Sequence, residues 1–416
     1  MDIREKVNLG AEVRDLYGAR IREQLASGEI KPLVMPYSLL GVFILPILYL
    51  SIPHVKRPWL YRARFPLMAF IVAFSLNELA AGCTSENFAA AYAVGLTHSW
   101  GIVWSATLLI WMRPQFEAER VERRRRRSPR GGETNGSAHE RNNSALRSET
   151  EQLQGAAPDE DVARYIKDYE YYWQAFPADE PFLTRLGWAT DLVLSFRGTG
   201  WNWCIPVIPR FDKPEKPLSG ELVKLDSIPI CTPAGYRRAT TRKEFIRARL
   251  HSMATSFLIL DLCSVLMMKD PYNILGPTTH PLPPFLAALP PLALTCLRRT
   301  LGLASCFFAL KLVFSLWQLV ACLLLGGPLA SVRGELWHYP SINGSPSAVL
   351  DRGLAGFWGA WWHQTFRAAF AAPAARLGIG SPGSPPASRA AAALLAFAAS
   401  GALHAAGSHA EAGPTR

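Results

Sequence analysis

Two histidines stand where apolar sequence would ordinarily carry none. His404 lies in Ser400-Gly401-Ala402-Leu403-His404, at the end of an alanine-rich run, and His363 lies in Trp361-Trp362-His363-Gln364. An unpaired polar side chain in such surroundings costs kilocalories, so its retention points to use. An imidazole in a low dielectric favours its neutral form, which accepts protons and suits a general base acting on an alcohol. Gly401 and Ala402 leave room beside His404, and Ser400 lies one turn back on the same helical face. His363 and Arg367 are spaced to share one face of an interfacial, tryptophan-rich helix. For either histidine alone, a hydrogen bond across a helix interface is the structural alternative. A metal would need a third ligand, for which only His409 lies nearby, so no metal site is expected.

The elements that must hold these residues are membrane helices. Hydrophobic residues make up 49% of the 416-residue chain and are gathered into long runs rather than spread with amphipathic period. Several runs approach the roughly 18 residues that read as a membrane span. The expected fold is an all-α polytopic bundle of about six spans, over residues 33–52, 65–81, 88–112, 245–268, 301–325 and 390–406. Residues 277–297 hold six prolines and are expected to be re-entrant or interfacial. The formal net charge of +11 sits mostly between apolar runs, as the positive-inside rule requires of cytosolic connections. Anionic membrane lipids, rather than nucleic acid, are the expected partner of these charges. The connection 54–64 carries Lys56, Arg57, Arg62 and Arg64 without an acid, which places it in the cytosol and the N-terminus on the lumenal side.

The chain divides into an interfacial or lumenal segment (1–32), three spans (33–112), a disordered basic cytosolic loop (113–161) and a catalytic region (162–416). The loop includes the run Arg123 to Arg127 and is low in apolar residues. Its Asn135 and Asn142 glycosylation patterns are on the wrong side of the membrane to be modified. Residues 186–196 are too short and polar to span and are expected to lie in the interface. The turn after them, Arg197-Gly198-Thr199-Gly200-Trp201-Asn202-Trp203, combines glycines, an arginine suited to a headgroup or phosphate, and boundary tryptophans. Asn77 and Glu78 are expected to face the bundle interior, and Lys311 with Gln318 to share a face, the lysine being a functional-site candidate or else snorkelling or pairing with a carboxylate such as Asp261 or Glu78. The seven cysteines form no CxxC pair, which leaves neither a disulfide framework nor a zinc site.

Residues 347–367, with Phe357-Trp358-Gly359 and Trp362-His363-Gln364, resemble the signature of the wax-synthase branch of the membrane-bound O-acyltransferase superfamily. Ser400-Gly-Ala-Leu-His404 is similar to that branch's second motif, and Arg197-Gly-Thr-Gly200-Trp-Asn-Trp203 to a turn that its fungal members carry. The resemblance implies an acyl transfer from acyl-CoA to an alcohol, with no bound cofactor. It makes His404 the catalytic base and His363 the residue that orients or polarises the thioester, with Gln364 as an alternative oxyanion donor. Trp358, Trp362, Gln364, Arg367, Arg197 and Trp201 become substrate or CoA contacts, the CoA phosphates falling to Arg197 or Arg367. Fungal members that resemble this chain are often acetyltransferases of terpenoid-like secondary metabolites, and an endoplasmic reticulum location follows. A long-chain wax or sterol ester product, and an inactive membrane scaffold, are the alternatives. Two departures stand out: Ala360 and Trp361 replace arginines common before Trp-His-Gln, and one or two further spans are expected past the catalytic histidine.

Overall fold

The computed structural model describes residues 9–82, 85, 87–126, 169–211, 217–325 and 332–412. Most of the expected disordered loop, both glycosylation patterns and Cys83 lie outside the described residues.

The chain is a polytopic helical membrane protein. Helix α1 (Leu9–Ser27) is followed by a short apolar helix, Tyr37–Leu50, whose last part is α2 (Leu45–Leu50). A π-helical turn, Leu40–Ile44, widens it just before Pro46, which has no N–H to donate. At 1.5 Å per residue this helix falls well short of a ~30 Å hydrocarbon layer. Among the described residues five helices are long and apolar enough to cross, so the expected six become five and one shorter helix.

Helices α3 (Pro58–Arg62) and α4 (Arg64–Ala80) form the first long span, and α5 (Phe88–Ala106) with its π-helical end Thr107–Trp111 forms the second. Asn87 caps α5 by accepting from the Ala90 N–H at 3.0 Å, satisfying a donor the helix cannot. Glu78 is buried as expected, whereas Asn77 is exposed.

The basic run differs from its expectation. After the single turn α6 (Pro114–Glu117), residues Arg120–Arg125 form strand β1, paired antiparallel with β2 (Tyr169–Gln174). Ion pairs explain why arginines fold here: Arg120 binds Asp191 at 3.0 Å and Glu122 at 2.7 Å, and Arg123 binds Glu335 at 2.9 Å. Arg333 also pairs with Asp191. The sheet, order β1-β2-β3 with β3 at Leu222–Val223, therefore joins the boundary drawn between residues 113–161 and 162–416.

Helix α7 (Phe182–Leu194) covers most of the segment expected in the interface, yet Trp188, Ala189, Leu192 and Val193 are all fully buried. They join Trp100, Trp104, Leu108 and Trp201 in the main core, and Trp104 Nε1 donates to the Val193 carbonyl at 2.7 Å. Gly198 and Gly200 in the following turn have φ of 67° and 79°, a left-handed backbone open to glycine. A Cβ on Gly200 would also lie 2.9 Å from the His338 ring.

Helix α8 (Arg242–Met268) packs along a long later helix through a Ser252–Ser315 hydrogen bond of 3.0 Å. After the short helices α9 (Pro271–Leu275) and α10 (Pro284–Ala287), that helix, α11, runs unbroken over Pro291–Leu325. The proline-rich segment is thus less broken than expected: Pro291 occupies the first helical position, where a missing N–H costs nothing. Arg298 near its start holds Asp270 through two bonds of 2.6 and 2.8 Å, and the Asp270 carboxyl is held below its ordinary range chiefly by them. Lys311 pairs with no carboxylate among the described residues and lies 6.0 and 5.8 Å from the Phe307 and Phe308 rings. Leu258, Leu262, Val313 and Trp317 face outward, as lipid-facing side chains do. The chain ends in α12 (Ser347–Gly356) with a π-helical extension Phe357–Trp361, then α13 (Arg367–Arg376) and the spanning helix α14 (Pro386–Ala412).

Candidate active site

His404 is held by a residue from a distant part of the chain. Its Nδ1 lies 2.6 Å from the Tyr92 hydroxyl on α5. Small residues make this contact possible. A Cβ on Gly95 would lie 2.1 Å from the Ala406 carbonyl oxygen, and a Cβ on Gly407 would lie 2.8 Å from the Tyr92 ring. Helices α5 and α14 therefore meet backbone to backbone, the arrangement small residues permit in membranes. In the tautomer whose Nδ1–H donates to Tyr92, Nε2 is bare and can accept a proton, and the exposed ring can meet an acceptor hydroxyl. Tyr92→Phe removes the hydrogen-bond partner that holds this ring in place. The expected result is roughly a fivefold to tenfold fall in kcat with KM little changed, the scale of one hydrogen bond. Steady-state kinetics on the two proteins check it.

His363 occupies a different kind of place. The segment around it is not one interfacial helix: the π-helical turn stops at Trp361, and Trp362 is extended at ψ 151°. Helix α13 starts only at Arg367, so His363 and Arg367 do not share a helical face. The break is braced from within. Gln364 Nε2 donates to the Trp358 and Trp362 carbonyls at 2.9 and 2.7 Å, and Arg367 donates to the Gly359 carbonyl and Gln364 Oε1 at 2.8 and 2.9 Å. The His363 ring is packed among Trp362, Phe366 and Phe314, at centroid separations of 5.3, 5.5 and 6.0 Å. Its Nδ1 is enclosed and has no protein partner. Burial pushes the imidazole down to about 4, and the charges of Arg197 and His404 act in the same direction. The two histidines thus lie within electrostatic reach of each other, and His363 is neutral at physiological pH.

Most of the expected substrate contacts make internal hydrogen bonds or pack in the core. Trp201 is a core residue, 1% exposed, with Nε1 3.2 Å from Ser195 Oγ and its ring edge-on to Trp188. Arg197 spends its guanidinium on the Ser341 and Pro340 carbonyls at 2.9 and 3.3 Å. Arg249 donates to the Tyr339 carbonyl at 2.8 Å and Gln318 to that of Pro340 at 3.2 Å. Three side chains from separate elements so fix three successive carbonyls ahead of α12. Gln364 and Arg367 likewise close the local break rather than face outward, because irregular backbone at membrane depth must find its partners in protein. Trp362 stacks on Phe357 at 5.4 Å, while Trp358 is 47% exposed and meets Phe397 of α14 at 5.6 Å. Of the six contacts, Trp358 is the one most open to a ligand. Tyr92, Gly95, Arg249 and Gln318 were not expected at the site; the signal for Tyr92 was a lone hydroxyl in the apolar run Ala89-Ala-Ala-Tyr92-Ala-Val.

Five long apolar helices define an integral membrane protein, with His404 on one of them bonded to Tyr92 on another and His363 half-buried in an aromatic cluster. Residues 339–416, which contain both histidines, match the sequence model of the Membrane bound O-acyl transferase family. The match covers 78 of the 416 residues and makes this stretch similar to membrane-bound O-acyltransferases. Comparison with curated proteins and with solved structures finds no match.

Proposed function

We propose that the protein transfers an acyl group, acetyl in particular, from acyl-CoA to a hydroxyl of a lipophilic acceptor such as a terpenoid, in the endoplasmic reticulum membrane. The Tyr92–His404 hydrogen bond within reach of the enclosed His363 carries this reading. His404 Nε2 takes the acceptor's hydroxyl proton as the oxygen attacks the thioester carbonyl. The tetrahedral oxyanion is met by an N–H of neutral His363, since Gln364 has committed its amide to backbone. The carbon–sulfur bond then breaks, and the leaving thiolate recovers the proton from His404, releasing ester and CoA. Trp358, on the accessible side, lines the path of the acyl donor or the acceptor.

The test is product analysis. Microsomes containing the full chain are given acetyl-CoA or palmitoyl-CoA with a panel of lipophilic alcohols, and ester is measured against thiol released. Acetyl ester formed in one-to-one ratio with free CoA supports the proposal; a preference for palmitoyl-CoA moves the product to a wax or sterol ester. No ester from any donor, with the protein present in the membrane, refutes it.

His363→Ala is expected to lower kcat at least tenfold while KM for acyl-CoA moves less than threefold, because an oxyanion donor acts in the transition state. A pure KM effect would make His363 a substrate-positioning residue. Since His363 is held near 4, it stays neutral from pH 5.5 upward, so a rate limb between pH 6 and 8 is expected unchanged in kcat–pH profiles of His363→Gln.

A further inference from the structure

At the end of the bundle where the first two long spans meet, a narrow crevice, half open to its surroundings, lies between α2, α4 and the end of α5. We propose that it binds the phosphodiester headgroup of an anionic phospholipid. Its chemistry is divided. The floor is apolar, with Leu108 and Met112, and the rim carries Arg64 and Arg113 with the aromatic rings of Tyr61 and Phe116.

The two arginines reach the crevice from different spans and both lean on the same ring. The Arg64 guanidinium lies 4.1 Å above Tyr61 and bonds to its hydroxyl, and the Arg113 guanidinium lies 5.9 Å from Tyr61 and 5.1 Å from Phe116. Each has its Nε enclosed without a hydrogen-bond partner. Among the described residues their one ion pair is Arg113–Glu117, 3.8 Å long and near half exposed on both sides, a geometry that contributes little. Two like charges with unsatisfied donors in one crevice are stabilised by an anion that offers several acceptor oxygens. The apolar floor selects an anion that carries hydrocarbon. The flanking connection adds Lys56, Arg57 and Arg62 with no carboxylate between residues 53 and 64, a field that favours anionic over zwitterionic lipid. Tyr49 closes the back wall by donating to the Leu60 carbonyl at 2.7 Å, so the pocket is built rather than a gap between loose ends.

The full chain in neutral detergent is titrated with phosphatidylglycerol, with phosphatidylcholine and with inorganic phosphate, and bound lipid is read by native mass spectrometry alongside Tm. Phosphatidylglycerol is expected to be retained at least tenfold more than phosphatidylcholine and to raise Tm. Arg64→Gln/Arg113→Gln is expected to weaken its retention about tenfold, whereas Arg64→Lys/Arg113→Lys and the surface control Arg57→Gln/Arg62→Gln keep most of it. Equal retention of the two lipids, or unchanged retention in the glutamine pair, overturns the site. So does displacement of the lipid by millimolar inorganic phosphate, which would make it a free-anion site. Should the glutamine pair not fold, the lipid contrast on the parent chain and the lysine pair still decide.

Discussion

Microsomes carrying His404→Ala are expected to form ester at least 100-fold more slowly than those carrying the parent chain, at equal protein abundance. General-base catalysis contributes about 10²–10⁴ in rate, and no second group is placed to replace it. Tyr92 donates no base of its own, and His363 is enclosed and pushed down to about 4, which makes it a poor proton acceptor. The fold should survive, because the His404 ring is exposed and its bond is to one half-buried hydroxyl. The measurement is initial rate with saturating donor and acceptor, with immunoblot and fluorescence size-exclusion as controls on abundance and fold. A rate within threefold of the parent's would remove His404 from the mechanism, and with it the role given to Tyr92.

Gly95→Ala should force apart the two helices that bring Tyr92 to His404. The added Cβ would fall 2.1 Å from the Ala406 oxygen, 2.7 Å from the Ala406 carbonyl carbon and 2.8 Å from the Ala410 Cβ. Two of the three obstacles are backbone, so no side chain can swing aside and α5 must part from α14. Overpacking of this kind costs roughly 1–3 kcal/mol, and the 2.6 Å Tyr92–His404 bond opens with the helices. We expect a Tm lower by several degrees and an activity loss larger than that of Tyr92→Phe. Gly187→Ala and Gly302→Ala are the controls: both lie in helices with nothing within 4 Å of the new methyl, so each should be neutral or slightly stabilising. If Gly95→Ala melts with the controls, the close helix approach is not what holds the site.

The sequence by itself determined the class of the fold. Run length in an apolar chain leaves helices as the way to pair every backbone group in lipid, and no tertiary information is needed for that. It also singled out His404 and His363, because an ionisable group in such a run is costly wherever the run is packed. Local chemistry was less dependable at the margins. Arg120–Arg125 look like solvated loop by composition and become a strand because Asp191 and Glu335 arrive from elsewhere in the chain. The proline-rich stretch before α11 looks broken, yet it holds a helix start at Pro291, since a proline's effect depends on whether it falls at the first helical position or within the helix.

Only the tertiary structure decided what each polar residue touches. Arg197 and Arg367 have the right type to hold phosphate and Gln364 to meet an oxyanion, and in the fold they donate to carbonyls of Pro340, Ser341, Gly359, Trp358 and Trp362. Trp201 has the type of a boundary anchor and lies in the core. Tyr92 is marked locally by no more than a lone hydroxyl in an apolar run, and its partner is 312 residues away, in a contact that Gly95 and Gly407 permit. Residue type fixes the chemistry a side chain can offer, whereas the packing of two helices fixes which partner receives it.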